Sequence, residues 1–432
     1  MDSNTFKRIY GEHKAVEFKD EDINIIKNIY KEMNFQEATQ LCKLVDLSLK
    51  ETILDVEELF ITLKYCYSGY EYFSQFVDFN DIKNNIINEL KELNENTINT
   101  NTLAKIIAKN ISRYVNDGHF SFETKTTVFP TYKPYLAYVT GIIVEEYGND
   151  YKVIKGNKKL PLETIISRTS LEAKLLPTLT TLSNKKCYLI GVYSNKKIET
   201  LEIDNIELKT HLIYADKYEE NNPEYIYNFV EHKNYNLLYS KKYVIYENTK
   251  EYLKVFNEMG TKSKNKNVVI FDIAGNRGGW SAYPEEFIKG LNEYSYWKTD
   301  MAMIKNDIFG NKNNNKEYEI LYADEYDTSK GTFDGTLYVV TNKTTASSGE
   351  AAIAYSHSCR NVVFVGSASA GAGLFGDIKS YLLPRSKIYV SIPFKVFFEG
   401  KEEGKGFLPD YWIDSKNPSR YLEKWLKHNH LI

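Results

Sequence analysis

The stretch 336–374, TLYVVTNKTTASSGEAAIAYSHSCRNVVFVGSASAGAGL, constrains this chain more than any other. Residues 336–341 form a short β-branched, apolar run that predicts a buried strand. Small polar residues turn the chain at 342–345, and the Ala-rich segment 351–357 has helical character. Residues 360–366 predict a second buried strand, which runs into the small-residue loop SASAGAG. The order is therefore strand, serine-bearing turn, helix, strand and glycine loop. Such a turn sets the Ser347 hydroxyl at a helix N-terminus, where free amides and the helix dipole favour an oxyanion. The same residues also satisfy a simpler rule, since Ser347 followed by Glu350 is a capping box. Partners elsewhere in the chain must decide between the two.

The first partner is the run Val268-Val269-Ile270-Phe271-Asp272, a buried strand that enters Ala274-Gly275-Asn276-Arg277-Gly278-Gly279-Trp280. Glycines after a buried strand let the backbone approach a ligand and present its amides. Neither GxxxxGK[ST] nor GxGxxG is present, so the phosphate-loop alternative has no support, while an ordinary glycine turn stays open. The second partner is Asp117-Gly118-His119, directly after a helical region. A third is the late segment EEGKGFLPD, with Glu402 and Glu403.

Around these motifs the chain divides by pattern. Residues 1–116 read as a helical domain, with apolar stripes at Ile23/Ile26/Ile29/Tyr30, Ile82/Ile86/Leu90/Leu93 and Leu103/Ile106/Ile107/Tyr114. Asp55 to Glu58 reads as a capping signature ahead of Leu59, Phe60 and Leu63. Residues 117–235 read as a β-rich middle region, interrupted by a helix-like piece at 170–182 and ending in a polar connector at 206–235. Residues 236–432 alternate strands and helices, with a strand near Tyr243 and a helix from Thr249, which predicts a wound α/β sheet.

Composition excludes several classes. The 432 residues suffice for two or three domains, and a net charge of −3 gives no basic field for nucleic acid. Cys42, Cys66, Cys187 and Cys359 form no CxxC or Cys/His cluster, which argues against structural zinc and a disulfide framework. No apolar run is long enough to span a bilayer. Met1 as natural start predicts a cytoplasmic protein, whereas removal of an export signal would leave an identical sequence. Oligomeric state has no signature here.

VVIFDIAGNRGGW, TNKTTASSGE, VGSASAGAG and EEGKGFLPD together resemble, in order and spacing, the C-terminal-processing (tail-specific) serine peptidases, the family that includes the core of tricorn protease. The resemblance covers roughly residues 240–415 well and the helical N-terminal part loosely. It implies an α/β crotonase/ClpP-like wound catalytic core, a peptide or protein substrate, and neither metal nor cofactor. It implies Ser347 as nucleophile, with the amides of Ser348 and of Gly278 or Gly279 as oxyanion hole. The tail-specific branch carries a lysine in the glycine loop about 25 residues after the serine, where this chain has Ala372. Asp117-Gly118-His119 resembles instead the D-G-H motif of the tricorn-like branch, which implies His119 as base and, from the place of EEGKGFLPD, Glu403 or its neighbour Glu402 as its support. Ala274 stands where the family has arginine, and the middle region lacks the G-L-x-x-G-D signature of a PDZ domain, making it at best a degenerate PDZ-like fold. The rival expectation is a catalytically inactive scaffold of the same fold that binds peptides or other ligands.

Overall fold

The computed structural model describes residues 9, 19–31, 40–217, 227–243, 249–296, 301–305, 318–322, 331–398 and 402–432. The chain is mixed α/β and divides into two compact units, each assembled from three segments. One comprises Met1–Lys133, Thr299–Glu325 and Ala372–Gly404; the other comprises Pro134–Lys298, Tyr326–Gly371 and Lys405–Ile432.

In the first unit, helices Leu49–Cys66, Phe79–Glu92 and Thr100–Ile111 pack the expected stripes inward: Leu59 and Leu63, Ile82, Ile86 and Leu90, Leu103 and Ile107 are all buried. Three details differ from expectation. The Leu49–Cys66 helix starts six residues before Asp55, at a capping box in which Ser48 and Glu51 satisfy each other's amides. Asp55 is instead buried mid-helix, where it accepts from the Arg385 guanidinium at 3.0 Å and the Ser386 amide at 2.7 Å. Tyr114 lies beyond its helix and is exposed, because the helix ends at Ile111. The helix expected over 22–33 is Asp20–Ile29, which gives way to strand Tyr30–Lys31, and positions 32 and 33 lie outside the described residues. A seven-stranded sheet completes the unit. Its centre is the antiparallel pair Phe375–Leu382 and Tyr389–Phe398, joined by Ser121–Glu123, Met301–Lys305 and others.

The second unit holds a twelve-stranded sheet. Tyr235–Ser240, Val268–Asp272, Thr336–Thr341, Asn361–Gly366 and Tyr411–Trp412 run parallel in that spatial order. Helices Thr249–Ser263, Ala282–Asn292 and Ser348–Ser356 occupy the crossovers. Val268–Asp272 is buried at every position, as a strand covered on both faces must be. The sheet continues without a break into the β-rich region through Leu175–Thr178, Cys187–Ser194 and Leu136–Tyr147. The helix expected at 170–182 is a single 3-10 turn, Arg168–Leu171, followed by a strand. Pro177 cannot sit inside a helix, and Leu175 and Leu176 pair instead with Ile190 and Leu189. The expected connector also carries strands, among them Ile206–Lys209, whose Leu208 is buried; residues 218–226 of it lie outside the described ones. Tyr243 is not in a strand but makes an isolated bridge to Gly279. The four cysteines are buried and no disulfide links them. No helix among the described residues is long and apolar enough to cross a membrane.

Candidate active site

In the second unit, the serine turn and the glycine loop are laced into one object. Where the Thr336–Thr341 strand ends, Asn342 turns its carboxamide oxygen to the amides of Gly275 (2.9 Å) and Thr344 (3.1 Å). The Thr345 hydroxyl donates to the Ile273 carbonyl at 3.0 Å, and the Ala346 amide to that of Asn276 at 2.9 Å. Between these ties the chain reverses so sharply that Ser347 adopts φ 54°, ψ −123°, a conformation nearly confined to glycine. A strained residue of this kind costs about 1–3 kcal/mol and persists only where its surroundings hold it. Glu350, one turn into the Ser348–Ser356 helix, supplies part of that hold. Its buried carboxylate accepts from the Ser347 amide (3.3 Å), the Ser369 hydroxyl (2.7 Å) and the Gly371 amide (2.8 Å).

Both glycines of the loop are required by close approach. A Cβ on Gly278 would lie 2.8 Å from the Ser347 Cβ, and one on Gly279 would lie 1.5 Å from the Tyr243 carbonyl oxygen. Their amides differ. The Gly278 N–H donates to the Asn276 side chain at 2.9 Å. The Gly279 and Ser348 amides have no acceptor among the described residues. Of the three expected oxyanion donors, these two remain available.

Sequence reasoning missed the support beneath this loop. Lys241 is buried, and its ammonium donates to Asp272 at 3.1 Å and to the Ala274 carbonyl at 2.8 Å. Asp216 is buried under the serine turn, accepting from the Lys343 amide at 3.0 Å and from the Ser367 hydroxyl. Burial pushes its carboxyl up to about 6. Neither residue lies in a motif, and their partners are distant in sequence.

In the first unit, Asp117, His119 and Glu403 come together: one donor atom from each lies within 4.8 Å of the others. The Asp117 carboxylate accepts from the His119 amide (2.8 Å) and the Tyr67 hydroxyl (2.9 Å), and its burial pushes it up to about 7. Glu403 is buried and accepts from the amides of Gly118 (2.9 Å) and Leu374 (2.8 Å), while Glu402 beside it is exposed. Burial lowers His119 to about 4, against a smaller opposite pull from Asp377 and the Phe375 carbonyl, so its ring is neutral near pH 7. Its Nδ1 is buried and has no hydrogen-bond partner among the described residues. A neutral imidazole is a proton acceptor. Ala372, at the place of the branch lysine, is buried and carries no ionisable group.

Residues 237–413 match the sequence profile of peptidase family S41. Among solved structures the chain is similar to mature CPAF complexed with lactacystin, at 12% identity and TM-score 0.47, covering 89% of this chain and 98% of that one. It is similar to the photosystem II D1 C-terminal processing protease at 12% identity and TM-score 0.37, over 84% and 93% of the two chains. It is also similar to the tricorn protease at 13% identity and TM-score 0.40, over 89% of this chain and 36% of that one. No curated protein sequence matches the chain.

Proposed function

We propose, from the match of residues 237–413 to peptidase family S41, that the chain is a serine-type endopeptidase acting on peptides or proteins through an acyl-enzyme on Ser347. The observation that carries this reading is the backbone of Ser347. A serine held at φ 54° on a strand–turn–helix junction, against a glycine loop with a free amide, is the arrangement a nucleophile needs and a helix cap does not. In this reading Ser347 Oγ attacks the scissile carbonyl while the amides of Gly279 and Ser348 receive the developing oxyanion. His119 takes the serine proton and returns it to the leaving amine, then activates the water that releases the acyl group. Glu403 holds the imidazole in one orientation. The parallel sheet with its crossover helices is, on this reading, a crotonase/ClpP-like wound core, and the strands before it a degenerate PDZ-like region. The assignment of His119 and Glu403 rests on the resemblance and on their meeting beside Asp117.

A fluorophosphonate probe with mass-spectrometric mapping tests the proposal. The expected result is one adduct, on Ser347, absent in Ser347→Ala and reduced at least 100-fold in rate in His119→Ala. Labelling that survives His119→Ala moves the base elsewhere. A folded wild-type protein that takes no label favours the non-catalytic scaffold.

A further inference from the structure

We infer that Asp117, His119 and Glu403 form a binding site for a divalent transition-metal ion, zinc being the best match, and that its occupation silences His119. The second half of the inference rests on the reading of His119 as the catalytic base; the first half does not.

Three observations point to the ion. The donor atoms, two carboxylate oxygens and one imidazole nitrogen, already lie within 4.8 Å of one another. Around tetrahedral zinc, with bonds of about 2.0–2.2 Å, ligand atoms stand roughly 3.4 Å apart, so a small inward movement completes the shell. Both carboxylates are aimed from behind. Glu403 is held by the Gly118 and Leu374 amides, and Asp117 by the His119 amide and the Tyr67 hydroxyl. Such outer partners are what orient metal ligands. Finally, the buried Nδ1 of His119 has no hydrogen-bond partner among the described residues. Buried polar atoms are nearly always satisfied, and an ion at the cluster gives the imidazole the partner it lacks.

The donor set selects the metal class. Magnesium and calcium prefer six or more oxygen donors, whereas an imidazole with two carboxylates suits zinc and its neighbours and leaves one position for water. Coordination takes the lone pair that a general base needs. No bond to substrate is made or broken; coordination at Nδ1 leaves the ring's one proton on Nε2, so the neutral ring has no lone pair to take the serine proton.

Competition against a chromophoric zinc chelator, with the wild-type protein, is the first test. The expected result is one zinc per chain, not displaced by excess magnesium, with affinity at least tenfold weaker in both His119→Ala and Glu403→Gln. Zinc-edge X-ray absorption of the loaded wild type should show nitrogen and oxygen donors only, a readout that needs no variant. Absence of uptake, a sulfur shell, or unchanged affinity in both folded variants overturns the site. Fluorophosphonate labelling of Ser347 should fall with zinc and return with chelator; uptake that leaves labelling unchanged overturns the silencing. Absent labelling with His119-dependent uptake sinks the peptidase reading and leaves the metal site standing.

Discussion

Ser347 was legible as a candidate from five letters, Ala-Ser-Ser-Gly-Glu, but its backbone angles were not, because a capping box and a nucleophile turn share that spelling. The angles follow from contacts made by residues far along the chain, among them Asn276, Gly278 and Ser369. Gly279 shows how tight this frame is. Gly279→Ala would put a methyl 1.5 Å from the Tyr243 oxygen, so it should destabilise the fold by about 3 kcal/mol or more and abolish Ser347 labelling. A thermal melt and the probe assay read both effects; an alanine variant that melts and labels like wild type would refute the frame. Asp216 gives a second prediction at this scale. Its carboxyl rises from an ordinary 3.8 to about 6 on folding. The proton-bound form therefore contributes stability that is fully present below pH 3.8 and lost as pH rises through 6. Asp216→Asn should stabilise the protein at pH 8 by up to about 3 kcal/mol and give no gain at pH 4. Denaturant unfolding at the two pH values measures it, and equal effects at both would contradict the cause.

Among the elements, periodic helices and apolar strands were read correctly because each carries its own pattern. The Val268–Asp272 and Thr336–Thr341 strands fall where the apolar runs lie. Failures came where a neighbour overrides local preference. The run at 170–182 has helical composition, yet pairing with Cys187–Ser194 and the presence of Pro177 make a strand of its second half. Asp55 looked like a cap because acidic residues favour helix starts, but Ser48 already caps that helix and Asp55 faces Arg385. Two substitutions separate these roles. Ser48→Ala removes a cap and should cost about 1 kcal/mol. Asp55→Ala leaves the Arg385 guanidinium and the Ser386 amide without their acceptor, and should cost about 3–5 kcal/mol. Denaturant midpoints compare them, and an Asp55→Ala cost no larger than that of Ser48→Ala would overturn the assignment.

For the whole molecule, the two units do not follow the order of the chain. The hydrophobic core of the first includes Leu374, Phe375, Tyr381, Leu383, Ile388, Val390, Ile392 and Val396 beside the N-terminal helices. Each fully buried side chain of this kind contributes about 1.5–3 kcal/mol, so losing all eight removes about 12–24 kcal/mol, as much as or more than the usual 5–15 kcal/mol of domain stability. Residues 1–116 expressed alone should therefore lack cooperative unfolding and near-ultraviolet circular dichroism. A cooperative transition in that fragment would show that the late strands are dispensable to the core.

The sequence by itself determined the strongly periodic helices and the apolar strands at Val268–Asp272 and Thr336–Thr341, that a serine turn and a glycine loop follow those strands, and that His119 and Glu403 stand in motifs of their own. Those properties are set by neighbours a few residues apart, within reach of periodicity and turn chemistry. Only the tertiary structure decided that Glu403 rather than Glu402 is buried beside His119, that Gly279 rather than Gly278 keeps a free amide, and that Lys241 and Asp216 underlie the loop and the turn. Each of those depends on desolvation and on hydrogen-bond partners brought from far along the chain, and no local pattern encodes which distant group will arrive.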